Sequence, residues 1–382
     1  MIVLIHKYLD WRRVILAVAA FVFVWNLSLN HNALASTDKF LSNEPQDAAY
    51  VLKRTVQVTP RRYLRWWQNP AAAEPVYNTW SWAPEIKVGI HGPLAPGSQI
   101  SVEFDTADGK PWFTQRMRTP ELEAGRWDIV YEREDLSLDQ LEKKAITAQA
   151  GLFPFRVRLK NALSGTNNVI FSGKYQIATY APDQKIPEYR GKKEFYVAED
   201  WRLPMAWLWL NPDNGNEEVP PLSLQTWFRN SKNSDEIEAV VFFGGKQIAT
   251  VKSTNAEDTL TNGVDELPYR YSMRTFSFYT IRGFNNSSDQ NSYRTSLFLD
   301  KNPGDYEIKM LKGGDLVRSL VFTVGPDGKI VDNGVVAMNK LGGVRMLVPV
   351  KIIGPGDGGW NKAAWQTDAF YGNPLTGVTA AQ

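Results

Sequence analysis

Residues 303–328 read PGDYEIKMLKGGDLVRSLVFTVGPDG. In the first half of this stretch the apolar side chains Tyr306, Ile308 and Met310 alternate with polar ones, which is the period of a β-strand with one buried face. The second half is richer in apolar residues, and the pair Gly313-Gly314 stands between the halves, where a tight hairpin turn requires positive φ. The stretch therefore predicts a β-hairpin.

A weaker copy of this pattern lies about 150 residues earlier in the chain. Residues 155–160 (FRVRLK) correspond to 306–311 (YEIKML), and residues 169–171 (VIF) correspond to 320–322 (LVF). The later copy resembles the last hairpin of bacterial immunoglobulin-like modules. This resemblance implies an all-β fold of two tandem immunoglobulin-like β-sandwich domains, each closed by one of the two hairpins.

Further β-rich segments, separated by turns that contain Gly and Pro, favour the same architecture on both sides of residues 183–200. We therefore divide the chain into a signal peptide (1–35), a basic and aromatic N-terminal segment (36–75), β-sandwich domain 1 (76–182), a linker (183–200), β-sandwich domain 2 (201–331) and a C-terminal strand with an aromatic tail (332–382).

Two helices are expected within this all-β pattern. A short N-terminal helix is predicted after Thr59-Pro60, because Tyr63, Trp66 and Trp67 recur at helical spacing. A crossover helix is predicted between Ser137, a plausible N-cap, and Gly151, a plausible helix end.

The first 35 residues have the pattern of an export signal. Basic residues precede the apolar run 14–25, and Ala33-Leu34-Ala35 supplies the small residues of a cleavage site. We expect cleavage after Ala35 and a periplasmic or extracellular protein. The alternative is an uncleaved anchor over residues 1–29 that holds the chain in the inner membrane.

The composition argues against several classes of chemistry. The chain has no cysteine, and of its three histidines only His91 lies outside the predicted signal. Thiolate catalysis is therefore excluded, and a zinc site of Cys and His is not expected. Neither a Gly-x-Ser-x-Gly elbow nor a phosphate-binding glycine loop occurs. We predict that the protein is not an enzyme and that it holds no cofactor and no metal.

The charge balance argues against a nucleic-acid partner. The chain has 43 basic and 41 acidic residues, and the predicted signal removes three of the former and one of the latter, which leaves 40 of each. The overall basic charge of the chain thus lies in the predicted signal and does not argue for a nucleic-acid partner, and we expect none.

Aromatic residues supply the candidate contacts. Trp80 and Trp82 share one face of a predicted strand and could form a sugar platform, with burial in the core as the alternative. Trp207 and Trp209 alternate with leucines, which indicates a buried strand. The C-terminal aromatic residues follow a Gly-rich hinge, and their apolar side chains must be covered either by the second sandwich or by a partner. We favour the partner, because the hinge lets the tail leave its own domain. The candidate binding residues are Trp80, Trp82, Trp360, Trp365, Phe370 and Tyr371.

A basic and aromatic cluster near the N-terminus is the second candidate surface. It combines headgroup-seeking tryptophans with arginines, so it could contact a membrane or a partner, or could instead dock on the first sandwich. Its residues are Arg61, Arg62, Arg65, Trp66 and Trp67.

These observations predict an exported, non-enzymatic binding or structural module of the bacterial cell envelope that acts through protein–protein contacts or self-association. One alternative is a carbohydrate-binding or carbohydrate-active protein that uses exposed tryptophans. The other is a membrane-tethered assembly component with an uncleaved signal anchor.

Overall fold

The chain forms antiparallel sheets almost throughout the part that the structure describes. The computed structural model describes residues 49–62, 66–67, 76–77, 81–92, 94–117, 128–131, 145–181, 184–185, 187, 190–211, 219–229, 236–253, 255–258, 271–279, 281, 297–342, 345–354 and 359–378. The all-β prediction is confirmed.

The first group of strands builds two sheets that face each other, here called the first sheet pair. Its strands are β1 Tyr50–Arg62, β2 Trp66–Trp67, β3 Val76–Tyr77, β4 Trp82–His91, β5 Gln99–Asp105, β6 Pro111–Arg116, β7 Asp128–Tyr131, β8 Gly151–Lys160, β9 Asn167–Tyr180 and β10 Glu194–Val197. One sheet has the order β1-β4-β7 and the other the order β10-β9-β8-β5-β6, while β2 and β3 form a separate ribbon.

The second group builds the second sheet pair. Its strands are β11 Met205–Leu210, β12 Leu222–Arg229, β13 Ile237–Phe243, β14 Lys246–Lys252, β15 Asn255–Asp258, β16 Tyr271–Phe278, β17 Gly304–Lys312, β18 Asp315–Val324, β19 Met346–Pro349 and β20 Lys351–Ile352. One sheet has the order β15-β16-β12-β11-β19, and the other the order β14-β13-β17-β18-β20.

Each sheet pair encloses its own apolar core. In the first, Ile86, Val88 and Ile90 of β4 are fully buried at alternate positions, as period-2 patterning requires. In the second, Ile308 and Met310 of β17 are fully buried in the same way. The first core continues onto outer-face residues of the second pair, and residues 46–382 form one compact unit. The boundary between two domains stays a prediction.

Both predicted hairpins are confirmed. β17 pairs with β18 around the Gly313-Gly314 turn, with Tyr306 opposite Phe322. β8 pairs with β9, and Phe155 lies opposite Gly173. The two hairpins occupy corresponding places, because the orders β5-β8-β9 and β13-β17-β18 match strand for strand. The repeat in the sequence therefore reflects a repeat in the topology.

The predicted N-terminal helix is wrong where the structure describes it. Residues 59–62 belong to β1, which pairs with β4 from Tyr50 to Arg62. Val56 and Val58 are buried at alternate positions, so pairing with β4 places a strand face on the core. Tertiary pairing thus overrides the helical spacing of the aromatics. The predicted continuation at 63–65 lies outside the described residues.

The predicted crossover helix fails at its C-terminal end. Thr147 forms a bridge with Trp82, with backbone hydrogen bonds of 2.9 and 3.0 Å, and β8 already begins at Gly151. The rest of that predicted helix, residues 138–144, lies outside the described residues. The α-helices that are described, α1 Val335–Met338, α2 Ala364–Thr367 and α3 Ala369–Gly372, are single turns, so none of them could cross a bilayer.

The C-terminal extension closes one side of the second sheet pair. β19 adds to the edge strand β11, and β20 adds to the edge strand β18 of the facing sheet. Between them Val350 is fully buried and its backbone N–H donates to the carbonyl of Pro204 at 2.9 Å. The extension therefore crosses from one sheet to the other and seals the seam between them.

Candidate functional site at the 199–202 junction

The link between the two sheet pairs contains a buried pair of opposite charges, Glu199 and Arg202. Residues 199–202 (Glu-Asp-Trp-Arg) follow β10, and Asp200–Arg202 form a turn of 3₁₀ helix. Glu199 is completely buried, and Trp201 and Arg202 are 2% and 7% exposed. Burying a carboxylate and a guanidinium is costly unless each is paired and hydrogen-bonded, so their partners determine what this junction does.

Glu199 and Arg202 form a closed network with Tyr371 of the C-terminal tail. Arg202 Nε lies 2.6 Å from Glu199 Oε2, and its Nη2 lies 3.3 Å from Oε1. The Tyr371 hydroxyl donates to Glu199 Oε1 in a short hydrogen bond and accepts from Arg202 Nη2 at 3.3 Å. It also accepts the backbone N–H of Val58 at 2.9 Å. One phenol thus connects β1, the junction and the tail.

The charges of this network are fixed by their surroundings. Burial by itself lowers the pKa of Arg202, but the adjacent Glu199 charge and the Tyr371 hydroxyl outweigh it and hold that pKa above its ordinary value. Burial, followed by the Glu199 charge, raises the pKa of Tyr371. Arg202 therefore stays cationic and Tyr371 stays neutral near neutral pH.

Asp200 anchors the same turn to the second sheet pair and to the tail. Its Oδ1 accepts from the Tyr271 hydroxyl at 2.5 Å and lies 3.4 Å from Arg229 Nη1. Its Oδ2 accepts the backbone N–H of Asn361 at 2.6 Å. Burial and then the Asp200 charge raise the pKa of Tyr271, which keeps that phenol neutral. Neighbouring carboxylates thus hold three parts of the chain together.

Aromatic packing completes the junction. The ring of Trp201 lies 5.0 Å from that of Phe370 and 5.6 Å from that of Tyr371, the latter edge-on. The Arg202 guanidinium sits over Trp201 at 4.6 Å and over Trp227 at 5.5 Å. Cation–π contacts of this kind are strongest when the cation is withdrawn from water, as it is here.

The tail reaches the junction through an unusual backbone. Phe370 (φ 48°, ψ 46°) and Tyr371 (φ 59°, ψ 47°) are both left-handed, and Gly372 follows at φ 81°. Left-handed geometry costs about 1–2 kcal/mol for each residue with a Cβ. The Asn373 side-chain amide donates to the carbonyls of Phe370 and Tyr371 and to that of Ser172 on β9. Burial and these bonds hold the strained turn in place.

This turn also covers the open edge between the two sheets of the first pair. The Tyr371 ring lies 6.2 Å from Phe155 in the core, its hydroxyl bonds Val58 on β1, and Asn373 bonds Ser172 on β9. β1 and β9 lie in opposite sheets. The tail therefore seals the seam of the first pair, as β19 and β20 seal that of the second.

The geometry of this network suits a structural role, in which it holds β1, the junction and the tail together. The polar atoms of Glu199, Arg202 and Tyr371 bond mainly one another, and the charged pair is enclosed in apolar surroundings. Within the described residues no group of three His, Asp or Glu side chains could hold a metal ion.

Trp82 does not lie where a sugar platform requires it. Its side chain is completely buried, its rings lie 5.0 Å from Phe153 and 6.2 Å from Tyr175, and its indole N–H donates to the carbonyl of Gln149 at 2.9 Å. The exposed-platform interpretation is therefore corrected in favour of core packing, because every edge of the ring is already covered. Trp80 lies outside the described residues.

The tail aromatics are covered by the chain itself. Trp365, Phe370 and Tyr371 are 5%, 2% and 1% exposed within the first core, and Trp360 packs half-buried against it. The expectation that a partner covers them is corrected, because these side chains complete a core that lacks apolar cover along its open seam. Phe370 and Tyr371 contact the junction and the first sheet pair, whereas the expected alternative to a partner is cover by the second sandwich.

The second tryptophan pair divides. Trp207 is buried, which confirms its prediction as a core residue. Trp209 is half-buried, and the guanidinium of Arg345 lies 4.4 Å from its ring. Arg345 in turn donates to the Gln225 side chain at 2.6 Å.

Of the basic and aromatic cluster near the N-terminus, the structure describes the backbone of four residues. Arg61 and Arg62 end β1, and Trp66 and Trp67 form β2. Arg65 lies outside the described residues. The role of this cluster at a membrane or partner surface stays a prediction.

Sequence reasoning misses Glu199 and Asp200, which fall in the predicted linker 183–200, and Arg202, which falls at the start of the predicted second domain without being singled out. Glu199 and Tyr371 are 172 residues apart in sequence, and no local pattern marks a carboxylate that will be buried. The one usable signal is Trp201 between Asp200 and Arg202, since a tryptophan directly after a charged linker indicates that the chain is already buried at this point.

Comparison with known proteins adds no assignment: no family model and no curated protein matches this sequence.

Proposed function

We propose that this chain is an exported, non-enzymatic structural or binding module of the bacterial cell envelope, built from two immunoglobulin-like β-sandwiches. It acts through protein–protein contacts, and its C-terminal extension keeps the sandwiches in a fixed arrangement. The proposal rests on the contacts of the charged and aromatic residues. At the 199–202 junction these side chains contact other parts of the same chain.

Strand order supports the immunoglobulin-like assignment. In the second pair, β15-β16-β12-β11 faces β14-β13-β17-β18, which is the D-E-B-A and C′-C-F-G order of that fold. The first pair repeats it with β1-β4-β7 facing β6-β5-β8-β9, without a counterpart of β15 among the described strands. A repeated order of this kind agrees with the repeated hairpin in the sequence.

The observation that carries the proposal is the double closure by residues 346–378. β19 and β20 complete the second pair, and Phe370 and Tyr371 then complete the first. Separately folded domains on a flexible linker would move relative to each other by default. In this chain the last segment packs on both sheet pairs. This arrangement suits a role in which two surfaces must be held at a fixed distance and orientation.

Localisation tests the first half of the proposal. Intact mass measurement on fractions of the native host should find a chain that begins at Ser36 in the periplasmic or extracellular fraction. A full-length chain confined to the cytoplasm would refute export, whereas a full-length chain in the inner membrane would support the tethered alternative.

Complex formation and activity test the second half. Extracted gently from the envelope, the protein should migrate in an assembly larger than its monomer, and panels of ester, peptide and glycan substrates should give no turnover. Glycan turnover that disappears when two acidic residues are replaced would refute the non-enzymatic part. Migration as a monomer under all conditions would refute the assembly part.

A further inference from the structure

The outward face of β8 carries a row of positive charges. Residues 155, 157 and 159 of this strand are buried in the first core, so the residues that alternate with them point away from it. These outward residues are Arg156, Arg158 and Lys160, here called the cationic row. Alternate residues of a strand are about 7 Å apart, so the row repeats its charges at that distance.

Two carboxylates on the neighbouring strand β5 hold the arginines of this row in place. The Arg156 guanidinium donates through both Nη atoms to Asp105, at 2.6 and 2.8 Å, and through Nε to Glu103 at 3.1 Å. Arg158 Nε donates to the other oxygen of Glu103 at 2.6 Å. The side chains of Arg156 and Arg158 are nevertheless 34% and 30% exposed. The row therefore presents cations to solvent in fixed orientations.

The two carboxylates do not neutralise this face. Lys160 at the end of the row and Arg116 on β6 are both exposed, and neither is paired with a carboxylate in the part of the chain that the structure describes. Arg116 lies opposite Ser101 of β5, which in turn lies opposite Arg158, so it stands two strands away from the row. Four cations against two carboxylates leave this face with a surplus of positive charge.

From these observations we infer that the cationic row, together with Arg116, binds an acidic segment of a protein partner in extended conformation. Carboxylates at alternate positions of an extended segment point to one side and repeat at the same distance of about 7 Å, so they match the spacing of the row. The pairing of Arg156 with Asp105 shows that a carboxylate fits a guanidinium of this face with two hydrogen bonds. Charge complementarity of this kind selects a partner and speeds its association.

The chemistry of this face favours a carboxylate partner over a nucleic acid. Proteins that hold single-stranded nucleic acid combine cations with aromatic side chains that stack on the bases. The β5 residues that lie opposite the arginines of the row are Ser101 and Glu103, which offer no ring. The inference deepens the proposed function and rests on it in one respect, namely that the partner is a protein.

A labelled acidic peptide tests the inference on the full chain. The probe is a ten-residue peptide of alternating Glu and Thr that carries fluorescein, and its binding is measured by fluorescence anisotropy at low ionic strength. We expect saturable binding that weakens several-fold as NaCl is raised from about 20 to about 200 mM. A peptide of five Glu followed by five Thr has the same charge but directs fewer carboxylates to one side, so it should bind several-fold more weakly.

Charge variants locate the binding. Arg116→Glu combined with Lys160→Glu should lower the affinity for the alternating peptide about tenfold, because two attractive contacts become repulsive. The matched control combines Lys351→Glu with Lys362→Glu, at exposed lysines of the C-terminal extension, and should leave the affinity within about twofold. Glu103→Gln removes a carboxylate that competes with the peptide and should raise the affinity several-fold, a gain that a damaged fold would not produce.

Equal losses in the two double variants would overturn the inference, because net charge alone would then account for the binding. An affinity that Glu103→Gln leaves unchanged at the parent melting temperature would do the same. Single-stranded DNA or anionic lipid vesicles that bind more tightly than the peptide, and only while Arg116 and Lys160 are present, would overturn the choice of a protein partner. Failure of the peptide to bind leaves the assembly test unaffected, whereas a monomer that still binds the peptide refutes assembly alone.

Discussion

At the scale of single residues, two buried tyrosines have opposite roles. The Tyr371 hydroxyl bonds Glu199, Arg202 and the Val58 N–H, whereas the Tyr175 hydroxyl lies buried in the first core without a hydrogen-bond partner. Burial raises the pKa of both phenols, but only one of them is compensated by bonds. The Tyr371 hydroxyl therefore stabilises the folded state, whereas the buried Tyr175 hydroxyl destabilises it.

Replacing each tyrosine by phenylalanine tests this contrast. Tyr371→Phe leaves a buried carboxylate and a backbone N–H with fewer partners and should lower the free energy of unfolding by about 1–3 kcal/mol. Tyr175→Phe removes an unpaired hydroxyl and should leave that free energy unchanged or slightly raised. Urea unfolding measures both, and equal losses for the two variants would contradict the contrast.

The hydroxyls of Tyr175 and Tyr371 also affect how the free energy of unfolding changes at high pH. Their pKa values are raised above the ordinary 10.0, so the folded state retains protons that the unfolded state loses at high pH. Stability is therefore fully present below about pH 10 and falls as pH rises above it. Each such tyrosine contributes a slope of up to about 1.4 kcal/mol per pH unit.

Unfolding free energies measured on both sides of this pH should show the fall. Tyr175→Phe should make the decline shallower, because one group no longer titrates on unfolding. An identical slope in wild type and variant would show that Tyr175 ionises equally in both states. Tyr306, whose pKa burial raises to about 12, supplies a further part of the slope in either protein.

At the scale of elements, the left-handed turn of the tail is the strained piece that packing holds. Phe370 adopts φ 48° while its side chain is 2% exposed against Trp201. Removing the ring removes the burial that compensates the strain. Phe370→Ala should therefore lower the free energy of unfolding by about 3–5 kcal/mol.

The matched control for this variant is Val321→Ala, at a valine that is 70% exposed on β18. Its effect should stay within about 0.5 kcal/mol. Chemical denaturation with a constant m-value would show that both variants unfold from comparable native states. A loss at Phe370 no larger than that at Val321 would mean that the tail does not complete the core.

Elements with local signals were predictable from sequence, and elements decided by distant partners were not. The hairpin at 303–328 combines strand periodicity with a glycine turn, and both signals lie within the element itself. Residues 59–62 form a strand because β4 pairs with them, which the helical spacing of nearby aromatics concealed. Likewise the need to cover Phe370 and Tyr371 was evident, but their docking surface depended on Glu199 and Val58.

At the scale of the whole molecule, the C-terminal extension makes the stability of the first sheet pair depend on residues that follow the second. After β18, the strands β19 and β20 close the seam of the second pair, and the tail then returns to the junction and the first core. The Glu199, Asp200 and Arg202 contacts cross this junction in several directions. Local unfolding of either pair therefore disturbs contacts of the other, and the chain should unfold in a single calorimetric transition.

Ending the chain after Ile353 separates the two sheet pairs energetically. β19 and β20 remain, so the second pair keeps its seam closed, but the first loses the burial of Trp365, Phe370 and Tyr371, worth about 1.5–3 kcal/mol each. Calorimetry should then resolve two transitions, the lower one depressed by on the order of 10 °C and belonging to the first pair. A chain that ends after Val378 keeps these contacts and should retain the single transition. If the shortened chain also unfolds in one step at the parent temperature, coupling between the pairs does not run through the tail, because the junction alone would then be sufficient to hold them.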